Sequence, residues 1–324
     1  KMETEGENII IKNKTIDFDS LTLKQKLAQM IIVSGDRKNN QELVNLGIGG
    51  IFLSKQISAE DYKSLIEDYQ KKSKIRLLVT TDMEGFWNPF YNFKQFPSFS
   101  EIRNEVEAYE VGLEQGKLMK ELGFNLNFAP VAEFSDKVYG GRVFLGSKKE
   151  INNKLENYIK GLQESVNGTC KHYPGKGMIK NTHWRRDRQE ITRDDLELFE
   201  TCFKSNISAV MIGHQIVCGE VDSGGVPSSI SEKIIGRIPG NFLIVSDEIN
   251  MLGLKSFYFF NKKELYKDLI NSGENVILDF KLNPGSADRL LKKLEKMVEK
   301  KEINEERVDE SVKKILEFKG YVIK

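Results

Sequence analysis

Short apolar runs alternate with longer amphipathic segments along most of the chain. Turn-forming or polar residues bound each apolar run, a pattern that is typical of a strand buried on both faces. The runs predict eight buried strands, at residues 30–33, 51–53, 76–81, 124–128, 168–172, 209–212, 242–245 and 275–278.

The amphipathic segments between these runs predict helices. Thr22, Ser58 and Thr192 each stand before such a segment, where a hydroxyl group can accept a hydrogen bond from a free amide of the first turn. Residues 1–20 predict only a polar lead-in. Further helices are predicted over residues 101–121, 150–166, 192–204, 229–238 and 262–272, and in two C-terminal segments with the apolar faces Leu290, Leu291, Leu294, Val298 and Val308, Val312, Ile315, Leu316.

Strands that alternate with helices pair in parallel, and eight such units in 324 residues predict an α/β fold, a (β/α)₈ barrel. An open, doubly wound sheet is the alternative. No Gly-x-Gly-x-x-Gly follows a strand, and no phosphate-binding loop motif is present, which disfavours the nucleotide-binding form of that alternative. No linker-like composition interrupts the chain, so residues 1–324 are predicted to form one domain.

Ionisable side chains stand at or just after the ends of several predicted strands. They are Asp82, Lys171, His172, His214 and Asp247. In a barrel these ends meet on one face, which holds the active site. Each residue also has a structural interpretation: Asp82 and Glu84 as turn caps, and either histidine as a hydrogen-bonded core residue. Their gathering at strand ends favours function.

The composition argues against several classes of binding partner. Lysine and arginine total 49 against 48 acidic residues, so the net charge of +1 does not indicate nucleic-acid binding. No apolar stretch approaches the roughly 18 residues of a membrane-spanning helix. No histidine pair has the spacing of metal ligands, and no metal site is predicted.

The cysteines and the N-terminus bear on location. Cys170, Cys202 and Cys218 are odd in number and lack zinc-site spacing, so they are predicted to be buried, reduced thiols. The N-terminus is polar and has no signal-peptide core. Both observations lead us to expect a cytoplasmic location.

Several motifs together resemble one known family. Lys171-His-Tyr-Pro-Gly-Lys-Gly177 resembles the KHFPGHG motif of glycoside hydrolase family 3, in its branch of single-domain bacterial β-N-acetylglucosaminidases. Val245-Ser-Asp-Glu-Ile-Asn-Met251 resembles that branch's SDDLSM nucleophile motif. The segments Leu122–Val131, Gly140–Phe144 and Val210–His214 resemble its GINLNFAPV, GxRSFG and VMxAH segments. The likeness follows the family order across nearly the whole chain.

The resemblance implies a retaining exo-glycosidase that removes terminal β-linked N-acetylglucosamine and needs no cofactor. Asp247 matches the nucleophile that forms a covalent glycosyl-enzyme. His183 matches an acid/base histidine on a mobile loop after the fifth strand, a role that suits a group titrating near neutrality. The positions that hold the sugar match Asp82, Arg142, Lys171, His172 and His214.

The sequence departs from the family at the implied site. Asn181 replaces the Asp that pairs with the acid/base histidine, and Asp187 is a nearby acid that could substitute. The DQEGGR stretch becomes Asp82-Met-Glu-Gly-Phe-Trp87, which opens an aromatic loop through Tyr91. Lys176 stands for the second histidine of KHFPGHG, and Glu133 for an Asp.

These departures keep other functions open. A sugar-binding protein without turnover and a glycosidase of different sugar specificity both fit Asn181 and the aromatic loop. A barrel enzyme of unrelated chemistry, with His172 or His214 as its base, is a third alternative. The implied substrate is a peptidoglycan fragment or a chitin-type oligosaccharide, and the sequence carries no prediction of an oligomeric state.

Overall fold

Eight parallel strands close into a barrel in the computed structural model, which describes residues 9–37, 39–135, 137–177, 180–259 and 261–324. Strands that follow one another along the chain are neighbours, and the last pairs with the first. The predicted (β/α)₈ barrel is confirmed, and the open sheet is excluded. The barrel strands are β1 (Ile31–Ser34), β2 (Gly50–Phe52), β3 (Leu78–Thr81), β4 (Leu126–Asn127), β5 (Asn167–Tyr173), β6 (Ala209–Ile212), β7 (Leu243–Glu248) and β8 (Val276–Leu278).

Helices follow or precede the strands around the outside of the barrel. Thr22, Ser58 and Thr192 each accept a hydrogen bond from a first-turn amide, so the three predicted caps are confirmed. The helices are α1 (Leu23–Gln29), α2 (Ala59–Lys72), α3 (Glu105–Leu122), α4 (Lys148–Gln163), α5 (Arg193–Lys204), α6 (Glu232–Ile235), α7 (Leu252–Lys255), α8 (Lys262–Ser272), α9 (Pro284–Glu299) and α10 (Glu305–Phe318).

Five strands differ in length from their predictions: β3, β4 and β8 are shorter, and β5 and β7 are longer. Beside β4 the Asn125 side chain adds to the backbone pairing with β3: its Oδ1 accepts from the Val79 amide at 2.9 Å, and its Nδ2 donates to the Leu77 carbonyl at 2.9 Å. β7 is longer and runs through Glu248. The Ser246 hydroxyl accepts from the Leu278 amide at 3.1 Å and ties this extension to β8.

The polar lead-in and one helix were predicted wrongly. Ile11–Lys12 and Thr15–Ile16 form short strands, and the second also pairs with Val322–Ile323 from the end of the chain. Ile16 is fully buried, which a polar lead-in would not allow. The helix predicted over residues 229–238 shrinks to α6, and residues 1–8 of the lead-in lie outside the described residues.

The prediction of three reduced thiols is also wrong. Cys170 on β5 and Cys202 on α5 form a disulfide, with their Cα atoms 6.5 Å apart, and Cys218 is exposed. The barrel brings together two residues that are 32 positions apart, which the cysteine count did not reveal. The odd count therefore no longer supports a cytoplasmic location, since disulfides persist mainly in oxidising compartments. Among the described residues, no helix combines the length and hydrophobicity that a bilayer crossing requires.

Candidate active site

A cavity of about 760 Å³ opens at the carboxyl-terminal ends of the strands. Loops after β1, β2, β3, β4, β5, β7 and β8 contribute to its lining. The barrel brings together six of the seven predicted site residues in that lining: Asp82, Arg142, Lys171, His172, His183 and Asp247. Strand ends that are far apart in sequence thus supply one polar site.

Ion pairs form one side of the cavity. Lys171 Nζ lies 2.6 Å from Asp82 Oδ1 and 2.5 Å from Glu84 Oε1. Arg142 donates twice to Glu84, from Nε at 2.7 Å and from Nη2 at 3.0 Å. Glu84 is fully buried, so it is neither a turn cap nor a surface acid. It holds two buried cations in place beneath the cavity.

Glu84 and Lys171 remain charged in this cluster despite their burial. Burial raises the pKa of Glu84, but the charges of Arg142 and Lys171 outweigh it and lower this pKa to about 2. Burial likewise lowers the pKa of Lys171, and the carboxylates of Asp82 and Glu84 raise it further than burial lowers it. Ionised, multi-donor side chains at fixed positions are suited to binding sugar hydroxyl oxygens.

Asp247 lies near the end of β7, half-buried and facing the cavity. Its Oδ1 accepts a hydrogen bond from the Glu248 amide at 2.7 Å. Burial raises its pKa, but the nearby His172 and His214 imidazoles and the amide lower it more, so the pKa of Asp247 lies below its ordinary value. The carboxylate is therefore ionised at neutral pH, as a nucleophile must be.

Two histidines near the Asp247 carboxylate, His172 and His214, differ in whether they line the cavity. His172 lines the cavity, and its Nδ1 donates to Glu133 Oε1 at 2.9 Å. His214 is buried and is not among the described residues that line the cavity. Its Nε2 donates to the Glu248 carbonyl at 3.1 Å, and its Nδ1 and the Ser229 hydroxyl share a hydrogen bond at 2.8 Å. A carbonyl only accepts, so Nε2 carries a hydrogen, and burial lowers the pKa of His214, which favours the neutral ring.

The loop that carries His183 reaches the cavity from β5. The Asn181 side chain accepts from the His183 backbone amide at 2.9 Å and donates to the Tyr139 hydroxyl at 3.0 Å. These bonds shape the loop backbone. Asp187 is buried and accepts from the Gln189 side-chain amide at 2.9 Å.

Aromatic side chains from the loops after β3 and β4 also line the cavity. Trp87 packs edge-on against Phe86 at 5.3 Å and against Tyr139 at 5.6 Å between ring centroids. Phe86, Trp87 and Tyr91 remain partly exposed, so the loop is not simply core packing. Flat, exposed rings beside buried cations are suited to packing against the apolar faces of sugar rings.

The model of the glycosyl hydrolase family 3 N-terminal domain matches residues 22–318. The chain belongs to this family. It is 24% identical over 330 residues to the β-hexosaminidase LpqI of Mycobacterium tuberculosis, covering 93% of this chain and 83% of that protein. The family predicted from the sequence motifs is thereby confirmed.

Solved structures of other family 3 proteins share the fold. A family 3 β-N-acetylglucosaminidase from a Paenibacillus species superposes with a TM-score of 0.84 at 23% identity, covering 93% of this chain and 62% of that one. A family 3 glycosyl hydrolase from Mycobacterium smegmatis superposes with a TM-score of 0.83 at 23% identity, covering 93% of this chain and 98% of that one. The chain therefore spans about three fifths of the first structure and nearly all of the second.

Sequence reasoning missed several residues of this family 3 site. Phe52, Phe128 and Phe280 line the cavity at or just past the ends of β2, β4 and β8, so aromatics at strand ends were a usable signal. Arg37, Lys55 and Lys281 stand exposed around the opening. They lie in three separate loops, and only the closed barrel brings them together.

Two departures from the motifs have structural consequences in this family 3 domain. Lys176 adopts a left-handed backbone with φ of 70°, its Nζ donates to the Glu190 carbonyl at 2.6 Å, and it is not among the described residues that line the cavity. Glu133 reaches His172 directly. Glu248, beside the predicted nucleophile, is tied to Asn250 and Phe280, and burial raises its pKa to about 7.

Proposed function

We propose that this protein is a retaining exo-glycosidase that hydrolyses terminal β-linked N-acetylglucosamine. The observation that carries the proposal is the lining of one cavity by an ionised Asp247, by His183 and by the Lys171–Asp82 pair. A nucleophilic carboxylate, a titratable imidazole and fixed hydroxyl-binding groups are the components that retaining chemistry needs. The names of its β-hexosaminidase relatives support the choice of sugar.

In the proposed reaction the Asp247 carboxylate attacks the anomeric carbon and forms a glycosyl ester. The glycosidic C–O bond breaks, and the protonated His183 imidazole gives its proton to the departing oxygen. A water molecule then attacks the same carbon and passes its proton to His183, and the ester bond to Asp247 breaks. The free sugar leaves with its original configuration, and both side chains return to their starting states.

Neighbouring residues hold the sugar and the nucleophile in this scheme. Lys171 and Asp82 face the cavity and bind hydroxyl groups, while Arg142 is oriented by Glu84. His172, oriented by Glu133, contributes a ring nitrogen next to Asp247. His214 bonds the Glu248 carbonyl and so supports the end of β7 from behind. His214 therefore contributes to sugar binding only indirectly in this proposal, through the position of β7.

The charges around the opening of the cavity indicate which type of substrate it accepts. Arg37, Lys55 and Lys281 bring three cations to the opening, and Lys55 lies 3.8 Å from the centre of the Tyr91 ring. This favours a peptidoglycan-type fragment with carboxylates over a neutral chitin-type oligosaccharide. If so, raising the salt concentration raises KM for the acidic substrate more than KM for chitobiose, because salt screens exposed charges. Equal salt dependence would favour the neutral substrate.

The test is hydrolysis of 4-nitrophenyl N-acetyl-β-glucosaminide by wild type, Asp247→Ala and His183→Ala. We expect Asp247→Ala to abolish turnover, because no other group takes the glycosyl ester. His183→Ala should reduce turnover by roughly 10² to 10⁴, the usual contribution of a general acid/base. A glycosyl-enzyme trapped with a 2-fluoro sugar and found on Asp247 by mass spectrometry would identify the nucleophile independently.

Other outcomes would redirect the proposal. Turnover that is insensitive to His183 would assign the acid/base to another group, with Asp187 as the next variant. Binding of N-acetylglucosamine without turnover in any variant would indicate a sugar-binding protein. Activity on β-glucosides alone would change the sugar specificity and leave the proposed mechanism in place.

A further inference from the structure

Arg186 lies on the loop of His183 and reaches across to the segment that follows the Asp247 strand. Its Nε donates to the Ser256 hydroxyl at 3.1 Å, and its Nη2 donates to the Ser256 carbonyl at 3.3 Å. The guanidinium carbon also stands 3.9 Å from the centre of the Phe257 ring. These contacts hold the Arg186 side chain against the segment that follows β7.

The backbones of the two segments also meet. The Leu252 amide donates to the His183 carbonyl at 3.1 Å, and the Gly253 amide donates to the Thr182 carbonyl at 2.9 Å. Gly253 makes this approach possible: a Cβ at this position would lie 2.9 Å from both the Thr182 and the Arg185 carbonyl oxygens. A side chain there would therefore push the loop outward.

The receiving segment is itself fixed to the barrel. Leu254 is fully buried and Met251 nearly so, and the Tyr258 hydroxyl donates to Asp268 of α8 at 2.8 Å. The Thr182 hydroxyl, also buried, lies 3.6 Å from the Met251 sulfur. The segment that carries Ser256 therefore acts as a rigid anchor, and it continues directly from the strand that carries Asp247.

We propose that Arg186 is a positioning residue that latches the His183 loop onto the segment after β7, with Gly253 as the contact point. The latch holds the acid/base at a defined distance from the nucleophile, because both then belong to one connected unit. This inference rests on the proposed function for its effect on catalysis, but the docking of the loop is independent of it.

The latch acts through His183, so its loss should impair proton transfer selectively. Phenyl N-acetyl-β-glucosaminide has a poor leaving group that needs a proton, whereas the 2,4-dinitrophenyl analogue leaves without one. We expect Arg186→Ala to lower kcat/KM for the phenyl substrate by about tenfold, part of the roughly 10²-fold to 10⁴-fold that an acid/base contributes. The dinitrophenyl substrate should change by no more than about twofold, since both substrates share the remaining catalytic groups.

Two further variants complete the activity test. Arg185→Ala removes the same charge from the adjacent exposed residue and should leave both substrates unaffected. Gly253→Ala keeps every charge but displaces the loop, and it should reproduce the selective loss. Equal losses on both substrates in Arg186→Ala, or no difference between Arg186→Ala and Arg185→Ala, would overturn the proposal. Unchanged melting temperatures would show that the variants remain folded.

Trp184 offers a readout that requires no catalysis. It is 73% exposed on the same loop, and the chain has only two tryptophans, so Trp87→Phe makes it the sole emitter. In that background we expect Arg186→Ala to lower the fluorescence anisotropy of Trp184 relative to Arg185→Ala. Equal anisotropies would rule out the latch. If the wild type showed no turnover, the proposed function would fail, and this measurement would still decide whether the latch exists.

Discussion

At the scale of single residues, Glu274 is an unfavourably placed ionisable group. It is fully buried just before β8, and neither carboxyl oxygen has a hydrogen-bond partner within the described part of the chain. Burial raises the pKa of Glu274 well above its ordinary value, and the negative charge of Asp247 adds to this rise. The folded protein therefore retains a proton that the unfolded chain releases once the pH exceeds the ordinary glutamate value.

This placement makes stability depend on pH. At pH values between the ordinary and the raised pKa of Glu274, the folded state binds more protons than the unfolded state. The contribution of Glu274 to the free energy of unfolding therefore falls as the pH rises. We expect Glu274→Leu to raise the free energy of unfolding by about 1 to 3 kcal/mol, with a larger gain at pH 8 than at pH 5. Urea unfolding at both pH values measures this. The exposed Glu302→Leu should show no such difference, and a gain independent of pH would contradict the explanation.

At the scale of elements, α3 and α4 pack with their backbones in contact. Gly112 and Gly116 lie one turn apart on α3, and an added Cβ on Gly116 would lie 2.6 Å from the Leu162 carbonyl oxygen. Gly161 is the matching glycine on α4, and an added Cβ at this position would overlap the Tyr109 carbonyl oxygen. The absence of side chains at these three positions lets the two helices approach closely.

Gly161→Ala should therefore destabilise the protein despite the better helix propensity of alanine. Overpacking costs about 1 to 3 kcal/mol, against a propensity gain of about 1 kcal/mol. Chemical denaturation gives the net change. Gly285→Ala in the first turn of α9 is the matched control, because its Cβ would meet only Asn283 Oδ1 at 3.6 Å. A loss that is the same in both variants would refute the packing argument.

At the scale of the whole molecule, the disulfide joins the barrel to its outer layer. Cys170 on β5 and Cys202 on α5 close a chain segment across a sequence separation of 32, next to the loop that carries His183. Closing a segment of this length restricts the unfolded chain and stabilises the fold by about 3 to 4 kcal/mol in the chain-entropy model.

Thiol titration tests this pairing. The folded protein should show one reactive thiol, Cys218, because it is exposed. Denaturation without reductant should leave the count at one, and reduction in denaturant should raise it to three. Reduction should also lower the melting temperature of the wild type but not that of Cys170→Ala/Cys202→Ala. Three thiols in unreduced, denatured protein would contradict the disulfide.

The sequence by itself determined the barrel and the face that carries the site. Eight apolar runs separated by amphipathic segments leave few other ways to bury both faces of each strand, and strand-end residues such as Asp82, Lys171 and Asp247 then share one face. These inferences need only local patterns and one topological rule. The family motifs added His183 and Arg142, which lie in loops without a regular pattern.

Only the tertiary structure decided which partners these residues have. Glu84 forms ion pairs with Arg142 and Lys171. Cys170 forms a disulfide with Cys202, and Arg186 donates a hydrogen bond to Ser256. The partners in each contact are far apart in the sequence. No local periodicity encodes such contacts, because they depend on how the closed barrel brings together strands, helices and loops that are distant in the sequence. His214 shows the same limit: its place at a strand end was visible in the sequence, but the neighbours that turn it away from the cavity were not.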